Sequence, residues 1–236
     1  MIAIPPPSLP LFGGIDPAAA RPIAPELVNA LAFGDLHKNE GDPSRCRWIA
    51  RFAAGQAVGW IAKGSIDADG PGADAGYWDG VALDPDSGQT ETSLKFANGR
   101  NLPSEGCPYA VLPGGSFGPL TGLALGDVGV VILGAQITAA VLGDIGPGTG
   151  PGHNNPKIGE YSIRVHNRLR PAAPDPCHRD HLGRCNRVIN SSIGGGVIFI
   201  GFPGSAIPDL ALETCQEQIE QRAFGLWQAL GGKLAV

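Results

Sequence analysis

The stretch 126-GDVGVVILGAQITAAVLGDIGPGTGPGHNNPKIGEYS-162 decides how this chain folds. It holds two apolar runs, Val128 to Leu133 and Ile137 to Leu142, on either side of Gly134-Ala135. Both runs are nearly continuous in apolar residues, so both faces of each strand are expected to be covered, as in a closed or sandwiched barrel. A Gly-X pair between two strands is the signature of a two-residue hairpin turn of type II′. Three glycine–acid pairs punctuate the stretch: Gly126-Asp127, Gly143-Asp144 and Gly159-Glu160. The first reads as a turn at a barrel strand. The other two put a carboxyl group at each end of an otherwise apolar segment.

Outward from this stretch, the pattern remains mainly β. Val58, Trp60 and Ala62 alternate with smaller residues, and Pro108 to Pro113 reads as a strand ended by proline. Val197 to Phe202 is another buried strand, and Thr90 to Phe96 is a short strand candidate. Trp48, Ile49 and Phe52 fit either a helix or a strand. Val165 and Leu169 fall at helical spacing from Glu160 and Ser162. From about Asp209 to Leu230, the residues Leu212, Cys215, Ile219, Leu226 and Leu230 make an apolar stripe at spacings of three and four. Gly231-Gly232 stops that helix, which is expected to cover the barrel. Residues 1–45, rich in Pro and Ala at the start and with a short helix expected from Pro25 to Phe33, are read as an extension packing on the domain. Residues 46–236 are read as the domain itself.

Composition narrows the function classes. Apolar residues make up 43% of the 236, enough for a core, and 36 Gly and 22 Pro separate the apolar runs as in a loop-rich β domain. A net charge of −5 gives no support to nucleic-acid binding and suits a cationic partner. No run approaches the length of a membrane span. The first residues lack a basic region and a long apolar region, so they are not read as a signal peptide. Five cysteines leave at least one unpaired within the chain.

Between Lys63 and Lys95 there is no basic residue, but there are seven acids: Asp67, Asp69, Asp74, Asp79, Asp84, Asp86 and Glu91. A solvated acidic loop, an irregular cation site, or a wall that attracts a cationic substrate would all look like this. An EF-hand is excluded, because a loop begun at Asp67 has Pro71 at its fifth position and Trp78 at its twelfth. Tyr77 and Trp78 could stack on sugar rings or serve a core. Gly114-Gly115-Ser116-Phe117-Gly118 has the form of a nucleophile elbow, but Pro113, Pro119 and Gly122 argue against the helix that must follow. Cys177, His178, His181 and Cys185 are too compressed for the common zinc folds and suit a surface loop closed by a disulfide. No cofactor and no metal is assigned.

Hydrolysis of a glycoside needs two carboxyl groups: one protonates the leaving oxygen, and the other activates water or attacks the sugar. Asp144 and Glu160 are candidates, each flanked by apolar residues and each after a glycine that would let a sugar approach the backbone. Alone, a Gly-Asp after a strand equally reads as a turn with a satisfied side chain.

Six blocks, in order, resemble the chitosanases of glycoside hydrolase family 75. They are Ile66-Asp67-Ala68-Asp69-Gly70-Pro71 with Asp84-Pro85 and Thr90-Glu91-Thr92-Ser93-Leu94; Pro108 to Pro113; Gly126 to Val131; Gly143 to Pro147; Ile158 to Ser162; and Phe202 to Ser205. The resemblance spans about Val58 to Gly232. It implies endo-hydrolysis of β-1,4 links between glucosamine units with inversion, catalysed by Asp144 and Glu160. A looser likeness to the double-psi barrels of lytic transglycosylases makes Glu160 the acid and Asp144 the base. The expected fold is therefore a mainly β, six-stranded double-psi-like barrel with peripheral helices. Asp67, Asp69, Trp78 and Thr90 are expected to bind substrate. The expected partner is the cationic polysaccharide chitosan, acted on by a monomer, with no nucleic acid and no membrane. The family is usually secreted. The segment 147–157 and the segment 171–192 look like insertions. A glycan-binding module of the same fold and a glycosidase acting on peptidoglycan are the alternatives.

Overall fold

The two apolar runs of the opening stretch pair with each other. A computed structural model describes residues 21–22, 48–52, 56–71, 88–115, 117–146, 158–183, 185–189 and 192–234. Strands β5 (Val128–Leu133) and β6 (Gln136–Ile145) are antiparallel, with register from Val128↔Val141 to Leu133↔Gln136. Gly134 takes a φ of 58° at the turn, the positive value that a II′ hairpin needs at its first central residue.

Four more strands close the ring: β3 (Ala57–Asp67), β4 (Tyr109–Leu112), β7 (Glu160–Ser162) and β10 (Ser192–Gly201). The order is β3-β10-β5-β6-β4-β7, and β7 pairs back onto β3. The pairs β3–β7 and β4–β6 are parallel and the other neighbours are antiparallel. The fold is thus mainly β, a closed six-stranded mixed barrel of the double-psi-like kind expected from the sequence. Trp48–Phe52, ambiguous in sequence, is strand β2; it pairs with β3 outside the ring and with the two-residue β1 (Arg21–Pro22).

Alternation along the strands divides the core in two. All six barrel strands contribute to one set, which includes Val58, Trp60, Ala110, Val131, Ala140, Tyr161 and Phe199. Trp60 stacks on Phe199 at 4.4 Å and meets the Phe117 ring edge-on at 5.4 Å. Helices α1 (Phe117–Thr121) and α2 (Ile163–Leu169) add Phe117, Val165 and Leu169 to this set. The other set, including Tyr109, Val111, Val130, Val141 and Ile200, lies beneath helix α3 (Cys215–Ala229). That helix buries Cys215, Ile219, Ala223 and Trp227, so the covering helix is present; it begins at Cys215 after a 3-10 turn at Leu212–Thr214 rather than at about Asp209, and Ala223 and Trp227 join the stripe.

Several local expectations need correction. Thr90 to Phe96 is no strand; only an isolated bridge joins Lys95 to Asn101. The Thr92 and Ser93 hydroxyls and amides are spent on local and side-chain hydrogen bonds instead. A helix does begin at Phe117, because Pro119 falls in its first turn, where the missing N–H costs nothing; Ser116 lies outside the described residues. Glu160–Ser162 is strand, and the helix starts one residue later with the Ser162 hydroxyl as its N-cap. Segment 171–192 includes a small hairpin, β8 (Cys177–Arg179) with β9 (Cys185–Val188), closed by the Cys177–Cys185 disulfide. The Pro25 to Phe33 helix and most of the 1–45 extension lie outside the described residues. Among those described, no helix is long and apolar enough to cross a membrane.

Candidate active site

Four acids, three on strands and Asp69 just past the end of β3, meet where the ring closes. Strand β3 ends at Asp67, paired with Ser162, and Ser65 on the same strand is paired with Glu160. Residues opposite one another in a ladder share a face, so Asp67 and Glu160 lie on one side. Val111 of β4 shares that side. A Cβ built on Gly146 would lie 3.2 Å from Val111 Cγ1 and 3.9 Å from Glu160 Oε2.

Asp144 reaches this face through a bulge. Ala110 pairs with Leu142, but Val111 pairs with Asp144, so Gly143 is an extra residue. In an unbulged ladder Gly143 would stand opposite Val111, and Asp144 would stand opposite Leu112 and point into the barrel. Bulges re-aim side chains in this way. The Gly143 site has no room for a side chain, since a Cβ there would sit 2.6 Å from Tyr109 Cβ. Gly159 has a φ of 85°, and a Cβ there would fall 2.2 Å from the Lys63 carbonyl oxygen. Both glycines are therefore required by the packing of the protein itself, not by the approach of a sugar as their position in the sequence suggested.

The acids are firmly held. Asp144 is 7% exposed, and its Oδ1 accepts from the Ser93 amide at 2.9 Å, the Ser93 hydroxyl at 2.5 Å and the Ile145 amide at 2.8 Å. Asp67 Oδ1 accepts from the Asp69 amide at 2.9 Å, and Asp69 Oδ1 accepts from the Gln89 amide at 2.7 Å. Tyr109, fully buried, donates its hydroxyl to the Asp69 carbonyl at 2.8 Å. The Ser104 hydroxyl donates to the Asp67 carbonyl at 2.6 Å. Strand β4 and two loops thereby fix the Asp67–Asp69 turn.

Burial and crowding of negative charge both show in the protonation of the group. Burial, then the neighbouring Asp69 charge, push the Asp67 carboxyl well above the usual range, and the charges of Asp144 and Glu160 add to this. Burial raises Asp69 to about 6, against the hydrogen bond from Gln89, with Asp144 and Glu160 again adding to it. Burial and the Asp67 charge push the Tyr109 hydroxyl up, so it remains a donor. Carboxylate oxygens of Asp67, Asp69 and Asp144 lie within 4.8 Å of one another. That spacing could serve a bound cation or a substrate ammonium. A second group, Glu105 with Cys177 and Cys185, cannot offer thiolates to a metal while its sulfurs are joined.

Asp67, Asp69, Asp144 and Glu160 are thus brought together. Thr90 is half-buried in the loop between Gln89, which holds Asp69, and Ser93, which holds Asp144. Trp78 lies outside the described residues. Ser93, Ser104 and Tyr109 were missed as site residues; the one hint was that Ser93 and Tyr109 fall inside two of the resembling blocks. Asp127 is separate and structural, accepting from the Ala124 and Ser205 amides at 2.9 and 2.7 Å. Compared with family models and with curated proteins, the sequence matches none.

Proposed function

We propose that the protein is an endo-chitosanase that hydrolyses β-1,4 links between glucosamine units with inversion. The observation that carries this reading is the convergence of four carboxyl groups, Asp144 and Glu160 among them, on one face at the barrel seam. Glu160 gives its proton to the glycosidic oxygen as the bond to the anomeric carbon breaks. Asp144 takes a proton from a water that attacks that carbon from the opposite side. An inverting pair stands roughly 6.5–9.5 Å apart to admit the water. Three donors on one oxygen hold the Asp144 carboxylate in a single orientation, which a base needs. Asp67 and Asp69 take the ammonium group of a glucosamine unit, and its positive charge offsets the burial and the repulsion that raise their protonation range. Clustered acids at this cost in charge are a mark of a functional site more than of a scaffold. The resemblance of the six sequence blocks to family 75 supports the same substrate.

The test is a reducing-end assay on chitosan, chitin and cell-wall glycan, run with Asp144→Asn and Glu160→Gln. Cleavage of chitosan that falls by about 10²- to 10⁴-fold in each variant is expected. Near-wild-type rates in both would remove the assignment. Binding of chitosan oligomers without new reducing ends would identify a glycan-binding module, and cleavage of cell-wall glycan alone a different glycosidase.

A further inference from the structure

Two thiols take no part in this chemistry. Cys107 lies just before β4 and is fully buried; Cys215 is the first residue of α3 and is 2% exposed. Their side chains lie together in the buried core beneath α3, within reach of a thiol–thiol hydrogen bond. Cys215 Sγ is also 3.7 Å from the carbonyl oxygen of Gly106, the residue before Cys107. The Cys107 amide is anchored on the Pro103 carbonyl at 2.8 Å, so this backbone is fixed beside the helix end.

The pair is chemically unequal. The hydrogen bond from Cys107 brings the Cys215 thiol down, against its burial, with the Gln216 amide and Arg164 helping. Burial pushes the Cys107 thiol up. Once one sulfur is ionised and has attacked, its neighbour stands in place to resolve the product.

We propose that Cys107 and Cys215 are a disulfide-forming pair, oxidised by a small-molecule disulfide such as oxidised glutathione, and that the bond fastens the covering helix to the strand beneath the acid cluster. The Cys215 thiolate attacks one sulfur of the small disulfide, forming a mixed disulfide and expelling one small thiolate. The Cys107 sulfur, losing its proton, then attacks Cys215 Sγ and expels the second. The protein gives up two electrons and two protons, and the small disulfide is reduced to two thiols. Because both sulfurs are buried, exchange takes place during folding or while the start of α3 is lifted. With Cys177 already joined to Cys185, this pairing leaves one thiol of the five, Cys46. The proposal stands apart from the carbohydrate reading.

The full chain is reduced, denatured, refolded in a mixture of oxidised and reduced glutathione, alkylated and digested, and its peptides are weighed. The expected result is a Cys107–Cys215 linked peptide beside the Cys177–Cys185 one. The oxidised protein should also melt roughly 5–15 °C above a C107S/C215S variant that keeps the hairpin disulfide, because the bond closes a loop of roughly a hundred residues. Finding Cys107 and Cys215 both alkylated would overturn the proposal, as would finding either joined to Cys46 or to glutathione. Peptide masses from the wild-type chain decide the matter even if the variant fails to fold.

Discussion

At the scale of single residues, Asp69 carries a measurable tension. Its carboxyl is raised to about 6, chiefly by burial and also by Asp144 and Glu160, so the folded protein holds this proton more tightly than the unfolded chain does. Between about pH 4 and pH 6 the folded state therefore binds more protons at this site, and stability falls as pH rises through that window. Asp69→Asn keeps an oxygen to accept from the Gln89 amide but cannot ionise. The variant should be more stable than wild type at pH 7, by on the order of 1 kcal/mol once partial solvation is discounted, and equal to it below about pH 4. Urea melts at the two pH values measure this. A wild-type protein that is the more stable of the two at pH 7 would contradict the account. Asp67, raised by the same causes, adds to the same slope.

At the scale of elements, the bulge in β6 is decisive. Gly143→Ala places a methyl against Tyr109 and Leu102, and the bulge must shift to make room. The expected outcome is a loss of about 1–3 kcal/mol in stability and a larger loss of chitosan cleavage, because Asp144 leaves its three donors. Stability and turnover measured on one preparation check this; unchanged turnover would mean that the bulge does not aim Asp144. The same element marks the limit of sequence reading. Strands β5 and β6 were legible because their residues are buried on both faces and the runs stay apolar. The covering helix was legible because Cys215 and Ile219 repeat at helical spacing. The bulge was not, since nothing in the string Leu142-Gly143-Asp144 says that β4 will skip a residue. Glu160 and Asp67 were each visible as acids, but their meeting depends on a parallel pairing between strands far apart in the chain. Phe117–Thr121 was misread because Pro119 was taken as a breaker without regard to its place in the first turn.

At the scale of the whole molecule, charge and topology act together. The net charge is −5, and the acid-rich run from Asp67 to Glu91 begins and ends at the site. A polycation should be drawn to that end of the barrel over distances comparable to the screening length. Binding of chitosan oligomers to the Glu160→Gln protein should weaken severalfold between about 0.05 and 0.5 M salt. Titration at the two salt concentrations reads this directly, and affinity indifferent to salt would argue against an electrostatic role for the run.

The ring is sealed at β7, three residues long, which pairs with β3 on one side and meets β4 on the other at Ala110↔Tyr161. Glu160 belongs to this keystone, whereas Asp67 and Asp144 belong to its neighbours. A cut in the chain anywhere between Asp67 and Asp144 puts these two acids on different fragments, and one between Asp144 and Glu160 separates the proposed acid from the proposed base. The four-acid site thus has no minimal peptide. It belongs to the closed circuit, and it comes into being only when the two ends of that circuit meet.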